Sequence, residues 1–333
     1  MRNRKSSICC IIICCVVFFA LTSCGSKQEN EKRSQLSKAK YTMTEVELPF
    51  DTKQLHYLSA VVHDDYLEIL MSDNGKVCWY VYDMHTESWE EKDFQWQKGS
   101  DFDFRGKLQY DSKGNRYLLM RENSQEDNAY NIYKLNDDGT LECYVEFEDY
   151  ISDFGDVYGG WTFLEDDRIL VSVKYKSESK ASESVIIDPV KQELQETYME
   201  DIFMFYNLLT EGSLYLYPVE NENLELTVRV GDFWDYKKKQ EIQSEIELNP
   251  EIDPSAVTLP LVKEEKNYYS FSKYGIYTFT LEDEKMSCIV PSEVMKKTLS
   301  KYHAYTAAYK AEGENKFFIL GQADQDIDLY KID

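Results

Sequence analysis

Positive charge is scarce in this chain. Its 333 residues hold 37 Lys and Arg against 61 Asp and Glu, a formal net charge of −24. Such a chain has nothing to neutralise a phosphate backbone with, which excludes nucleic acid as a partner. Glycine (14) and proline (7) are few, while Tyr (26) and Phe (16) are abundant. That is too aromatic for a disordered chain. At 43% apolar residues it is also too polar for a multi-span membrane protein. Histidine is limited to His56, His63, His85 and His303, with no H-E-x-x-H and no closely spaced Cys partner. The nucleophile elbow G-x-S-x-G and the phosphate loops G-x-x-x-x-G-K-[ST] and G-x-G-x-x-G are absent as well. No long segment carries a period near 3.6, so helices do not dominate.

What is present begins at the N-terminus. Arg2, Arg4 and Lys5 precede an uncharged run from Ser6 to Leu21. This run is short for a bilayer span, which needs about 20 residues, and it has the layout of a secretory signal. Leu21-Thr22-Ser23-Cys24 resembles the bacterial lipobox. The resemblance implies cleavage before Cys24 and lipid (palmitate-type) attachment to it. The mature protein is then expected on the extracytoplasmic side of the cell membrane, held by that lipid. Removing residues 1–23 takes away three positive charges, so −24 becomes −27. Residues 24–40 contain little to bury and read as a flexible tether. Gly25 follows the cysteine where the retention signal of two-membrane bacteria has Asp, and the tether is like those of Gram-positive lipoproteins.

The cysteines then sort themselves. Cys9, Cys10, Cys14 and Cys15 belong to the signal, leaving Cys78, Cys143 and Cys288 beside Cys24. An odd, widely spaced set does not make a disulfide framework, so three buried free thiols are expected.

Residues 41–333 read as strands separated by turns. Val77–Asp83 and Leu214–Tyr217 are strand-like, and Asn74-Gly75, Lys113-Gly114-Asn115 and Asp137-Asp138-Gly139 are turn signals. One unit recurs six times, about 50 residues apart. It is a small or acidic turn followed by an aromatic or aliphatic strand. The copies start at Asp64, Lys113, Glu165, Glu211, Glu265 and Gly313. A second strand follows most copies, as in Asn131–Leu135, Ile276–Thr280 and Asp328–Ile332. This is the pattern of an all-β propeller, with six blades expected. Tyr41–Leu48 is the strand left over to complete the last blade, because an unclosed ring would expose its edges. Ser292–Leu299 predicts a short helix capped by Ser292. Tyr198–Leu209 is ambiguous between helix and strand, and Asn249–Leu261 reads as an insertion between blades.

These repeats resemble the propeller regions of Gram-positive gut lipoproteins, in which blades precede the solute-binding domain of an ABC importer. Lys113–Leu119 and Tyr274–Phe279 carry the resemblance. This sequence ends where that solute-binding domain would begin, so transport by itself is not implied, and the family offers no catalytic residue to carry over. The expected function is a non-catalytic binding module for a protein, peptide or glycan, accessory to uptake, with no enzyme activity and no cofactor. The alternative is a propeller enzyme of the metal-dependent lactonase or glycan lyase type. Three features could serve a ligand. Asp324, Asp326 and Asp328 alternate and could gather oxygens for Ca²⁺, although acids at a chain end are usually a solvated face. Asp64-Asp65, Asp137-Asp138 and Asp166-Asp167 fit turns that bond their own backbone. Trp89, Trp96, Trp161 and Trp234 could stack on sugar rings or fill blade interfaces.

Overall fold

Both faces of the central strands carry apolar side chains, and this decides the architecture. Leu67, Ile69, Leu70 and Met71 are all buried within one strand, as are Ile169, Leu170, Val171 and Val173 within another. A strand that is apolar on both faces must be covered on both, so its sheet has to stand between two others.

The computed structural model describes residues 41–74, 76–95, 102–104, 108–123, 128–177, 182–197, 208–220, 225–235, 237–247, 260–272, 275–299, 304–323 and 326–333. After β1 (Met43–Val46), the first meander is β2 (His56–His63), β3 (Tyr66–Asp73), β4 (Lys76–Asp83) and β5 (Ser88–Lys92). The second has a divided inner strand, β6 (Phe102–Phe104) and β7 (Gln109–Tyr110), then β8 (Arg116–Asn123), β9 (Asn128–Leu135) and β10 (Leu141–Glu146). The third runs β11 (Phe154–Phe163), β12 (Ile169–Tyr175), β13 (Glu183–Asp188) and β14 (Glu193–Glu196). The fourth is β15 (Leu209–Glu211), β16 (Leu214–Glu220), β17 (Glu225–Asp232) and β18 (Gln240–Glu247). The fifth is β19 (Leu261–Glu264), β20 (Asn267–Ser272), β21 (Gly275–Phe279) and β22 (Lys285–Pro291), followed by helix α1 (Ser292–Leu299). The last is β23 (Ala304–Lys310), β24 (Phe317–Ala323) and β25 (Asp326–Ile332).

Hydrogen bonding groups these strands into five sheets, not the six separate ones that the repeat predicts. The fourth and fifth meanders are fused by a two-residue parallel bridge, Gln243 to Lys285 and Ser244 to Met286. Their joined sheet has eight strands. β1 pairs antiparallel with β25, Met43 facing Ile332 and Val46 facing Leu329, as the leftover strand predicts. Thr42 and Asp333 then exchange two backbone hydrogen bonds, of 2.6 and 3.0 Å.

The core is divided in the way this arrangement requires. Leu70, Trp79 and Leu118 pack between the first and second meanders, and Tyr130, Trp161 and Val171 between the second and third. Leu170, Ile186 and Tyr215 join the third to the fourth, and Leu216, Val228 and Tyr277 the fourth to the fifth. Phe271 and Phe317 join the fifth to the last, and Ile69, Phe318 and Leu329 bring the last back to the first. The result is a propeller-like ring.

Two local expectations need correcting. Ser292 is the first helical residue, directly after the last residue of β22, so it is not the cap outside the helix. Cys143 and Cys288 are exposed, and Cys78 is half-buried against the core between the last and first meanders, so none of the three is a fully buried thiol. Residues 1–40 and 248–259, and all of Tyr198–Leu209 but its last two residues, lie outside the described residues.

Candidate functional site

Each sequence copy starts at the turn between the first and second strands of its meander. Asp64, Gly114, Asp167, Gly212, Glu265 and Gly313 all adopt a positive φ there, between 50° and 75°. Glycine and aspartate reach the left-handed region at least cost, which is why the copies look alike.

These turns are tied to one another around the ring. His63 stacks on Tyr110, with ring centroids 4.0 Å apart, between the first and second meanders. The Ser112 backbone N–H donates to Asp167 (2.6 Å) and its hydroxyl also donates to Asp167 (2.9 Å) at the next junction. The Gly212 N–H donates to Glu165 (3.0 Å), and Lys263 pairs with Glu211 (3.0 Å). The Gly313 N–H donates to Glu264 (2.9 Å), and the Tyr309 hydroxyl donates to Asp65 where last meets first. Glu87 strengthens that last junction by accepting from Lys316 (2.8 Å) and Lys331 (3.1 Å). This end of the ring is therefore occupied by its own polar contacts.

A buried charge lies between the first two meanders. Glu68 is completely buried. It accepts from the Trp79 indole N–H (3.0 Å), from Arg116 Nε (2.8 and 2.9 Å) and from the Tyr110 hydroxyl. Arg116 also reaches the exposed Asp137 (2.7 Å) and lies over the rings of Trp79 and Tyr110. Burial, and then the neighbouring Glu68, push the Tyr110 phenol above its usual range. Every acceptor position here is filled from within the protein, so the cluster acts as a structural clamp.

At the third–fourth junction the described core is Leu164, Leu170, Ile186, Tyr215 and Phe233. A cleft of 240 Å³ opens on the fourth meander. Cross-strand register builds its wall: Tyr215 faces Gly231, Tyr217 faces Arg229, and Arg229 faces Glu241. A Cβ on Gly231 would run into the Tyr215 ring, so glycine is what lets Tyr215 lie flat. The Tyr215 and Tyr217 rings are nearly parallel, 22° apart with centroids at 6.0 Å. Arg229 Nε donates to Glu241 (2.9 Å). The Tyr217 hydroxyl beside it, and then Glu241, hold the guanidinium above its ordinary pKa. Lys239 and Gln240 complete the lining. At the turn end of the same junction, Phe233 touches both Tyr215 (5.2 Å) and Trp234 (6.4 Å). Trp234 is 40% exposed, with Arg168 over its ring.

The residues singled out from sequence do not meet at one place. Trp161 is 2% exposed and cannot serve as a sugar platform. Trp89 packs on Tyr82 and Phe50 and donates to the Glu47 carbonyl (2.9 Å), which fixes it as a filler. Trp96, His303, Asp324 and Cys24 lie outside the described residues. Asp326 and Asp328 open β25, opposite Ala323 and Gly321, and Asp326 accepts weakly from Thr52 (3.3 Å). Among the described residues no three His, Cys, Asp or Glu are grouped as a metal site requires. Of the aspartate turns, Asp138 accepts from the N–H of Thr140 (3.0 Å) and Asp166 from that of Arg168 (3.3 Å), as a turn that bonds its own backbone does, whereas the side chains of Asp167 and Asp65 accept from Ser112 and Tyr309 of neighbouring meanders. Tyr217, Arg229 and Glu241, which form the cleft, could not be found from sequence, since only register brings them together.

No protein-family profile matches the chain, and no curated protein matches it. Solved structures do. A gluconolactonase from Xanthomonas campestris is 11% identical with a TM-score of 0.50, over 84% of this chain and 86% of that one. The allergen Mala s 1 of Malassezia sympodialis is 11% identical with a TM-score of 0.47, over 87% and 96% of the two chains. The β-propeller domain of the Trilobed protease from Pyrococcus furiosus, described as having an open velcro topology, is 9% identical with a TM-score of 0.40, over 83% and 82%. At these identities the likeness extends to the fold alone, an all-β propeller-like ring.

Proposed function

We propose that this chain is a lipoprotein anchored through Cys24 on the extracytoplasmic side of the membrane, and that its ring is a non-catalytic binding module. The ring is read as six blades, with the eight-stranded sheet counted as two. Six core clusters between successive meanders support that count, and the two-residue bridge is too short to merge two blades into one packing unit. The observation that carries the binding reading is the cleft on the fourth meander, lined by aromatic and charged groups, while the turns around one end of the ring are tied to their neighbours by the protein's own contacts. Recessed surfaces with a few convergent polar groups are where ligands bind. The ligand is a peptide, a glycan or a surface of another protein, and an accessory role in uptake fits the anchored position.

Two measurements test this. Cys24→Ala is expected to move the protein out of the membrane fraction; a variant that remains lipidated and membrane-bound refutes the anchor. Titration of the purified chain with glycan and peptide panels, read by calorimetry, is expected to give saturable binding without turnover. Metal-dependent lactone hydrolysis or glycan cleavage by the same preparation would overturn the non-catalytic reading.

A further inference from the structure

The outer edges of this ring take a further strand where the chain supplies one. β25 takes β1, and β18 takes β22. β14 ends the third sheet, whose order is β11-β12-β13-β14, and its outer backbone groups have no partner among the described residues. Its register with β13 is unbroken, from Asp188 opposite Glu193 to Val185 opposite Glu196. Other outer strands are less open. β10 is interrupted by a bulge between Cys143 and Val145. The stretch after β1 lies beside β5, where Trp89 donates to the Glu47 carbonyl. Met43 and Val46 of β1 are packed against the core.

Apolar side chains gather around the β14 edge. Four large ones stand exposed among the described residues: Tyr66, Val190, Leu194 and Trp234. Val190, 88% exposed, is in the turn that enters β14, and Leu194 is within the strand. Trp234 is linked to the same strand through Arg168, which lies over its ring and donates from Nη1 to Gln195 (2.8 Å). An open edge with apolar side chains beside it is a template for another chain.

Charge selects that chain. Glu193 and Glu196 are exposed on either side of Leu194 and Gln195, and the nearby Lys191 is committed to Asp188 (2.9 Å). A second copy paired edge to edge, in the two-fold register centred on β14, would set Glu193 of one chain opposite Glu196 of the other. Like charges directly opposite are destabilising, whereas opposite charges attract. We propose that β14 takes an extended basic segment of another protein as a fifth strand of the third sheet, with Lys or Arg opposite Glu193 and Glu196 and an apolar residue opposite Leu194. Main-chain hydrogen bonds supply the affinity and the facing side chains the selectivity. This surface uses none of the cleft residues and goes beyond the binding reading given above.

The test uses the purified chain and two short labelled peptides, with the cores Lys-Thr-Val-Lys and Glu-Thr-Val-Glu, read by fluorescence anisotropy. The basic peptide is expected to bind at least about ten-fold more tightly, and to weaken several-fold as salt rises from about 0.05 to about 0.5 M. Glu193→Lys/Glu196→Lys should reverse the preference. Glu282→Lys/Glu284→Lys makes the same change of net charge at exposed positions on the fifth meander and should leave the preference as it was. All four substitutions are on the surface, and an unchanged Tm confirms that the variants fold. Equal binding of the two peptides, no binding of the basic one, or a reversal by the fifth-meander variant each overturns the proposal. So does a dimer of the free chain that Leu194→Asp dissociates, which would give the edge to a second copy. If the basic peptide fails while a glycan or another peptide binds and Arg229→Gln weakens it, the edge is refuted and the cleft reading stands.

Discussion

Replacing Glu68 should expose how much of the first–second junction rests on one buried charge. The carboxylate is fully buried and collects donors from Trp79, Arg116 and Tyr110. Glu68→Leu fills the space with carbon but leaves all three donors without their acceptor. Arg116, whose side chain is only 18% exposed, would keep the single exposed partner Asp137. Removing one member of a buried ion pair costs about 3–5 kcal/mol. For a domain of this size, with an unfolding entropy of roughly 2.1 cal/mol/K per residue, that lowers Tm by about 5–8 °C. Arg116→Met should cost a similar amount by stranding the carboxylate. The double variant Glu68→Leu/Arg116→Met should cost less than the sum of the two, since two apolar groups can replace a buried pair almost neutrally. Urea unfolding followed by tryptophan fluorescence, with calorimetry for Tm, measures all three. A Glu68→Leu protein within 1 kcal/mol of the parent, or a double variant at or above the sum of the singles, would refute the clamp.

Three further outcomes are expected. Gly139→Ala should destabilise more than Gly212→Ala in the same urea experiment. Both glycines have positive φ, costing about 1–2 kcal/mol for any other residue, but a Cβ on Gly139 also runs into the Asp93 carbonyl while one on Gly212 meets nothing. Stability should fall as the solution is acidified below pH 4. Lys316 holds Glu87 below its usual 4.5, Lys191 holds Asp188 below 3.8, and the Thr86 N–H does the same for Asp83. Stability from groups lowered on folding is present above their unfolded pKa and is lost as pH drops through the folded one. Burial raises Glu183, so its contribution runs the opposite way: it is present at low pH and lost on deprotonation. A flat or rising stability curve between pH 4 and 2 would contradict the balance of these groups. Deleting residues 1–47 should uncover the β25 edge and produce dimers or aggregates by light scattering, where a monomer of unchanged stability would show that β1 is dispensable.

Much of the fold could be read from the sequence because turns are local. Asp64, Gly114, Asp167, Gly212 and Gly313 stand where the backbone needs a left-handed residue, and the sequence marks those places with small or acidic side chains. The buried runs, such as Leu118-Leu119-Met120, signal strands covered on both sides. The candidate site was hidden for the opposite reason. Glu68 occupies a polar position within an apolar strand, which reads as solvent-facing until Arg116, 48 residues on, is placed against it. Tyr217, Arg229 and Glu241 belong to three strands and become a wall only through their register. The bridge from β18 to β22 has no local signal either, since it depends on where two outer edges come to rest.

The pairing of β1 with β25 sets the order in which the protein can finish folding. Met43 and Ile332 are 289 positions apart, since 332 − 43 = 289, and their contact is among the most non-local the chain can make. Contacts of such separation form late, after the local meanders have condensed. During synthesis β1 emerges early and has to wait, unpaired, until the last strand is made. The acidic Glu45 and Glu47 on and beside it keep that waiting edge from joining another chain. The ring thus completes itself in one closing event, which has to wait until β25 has been made.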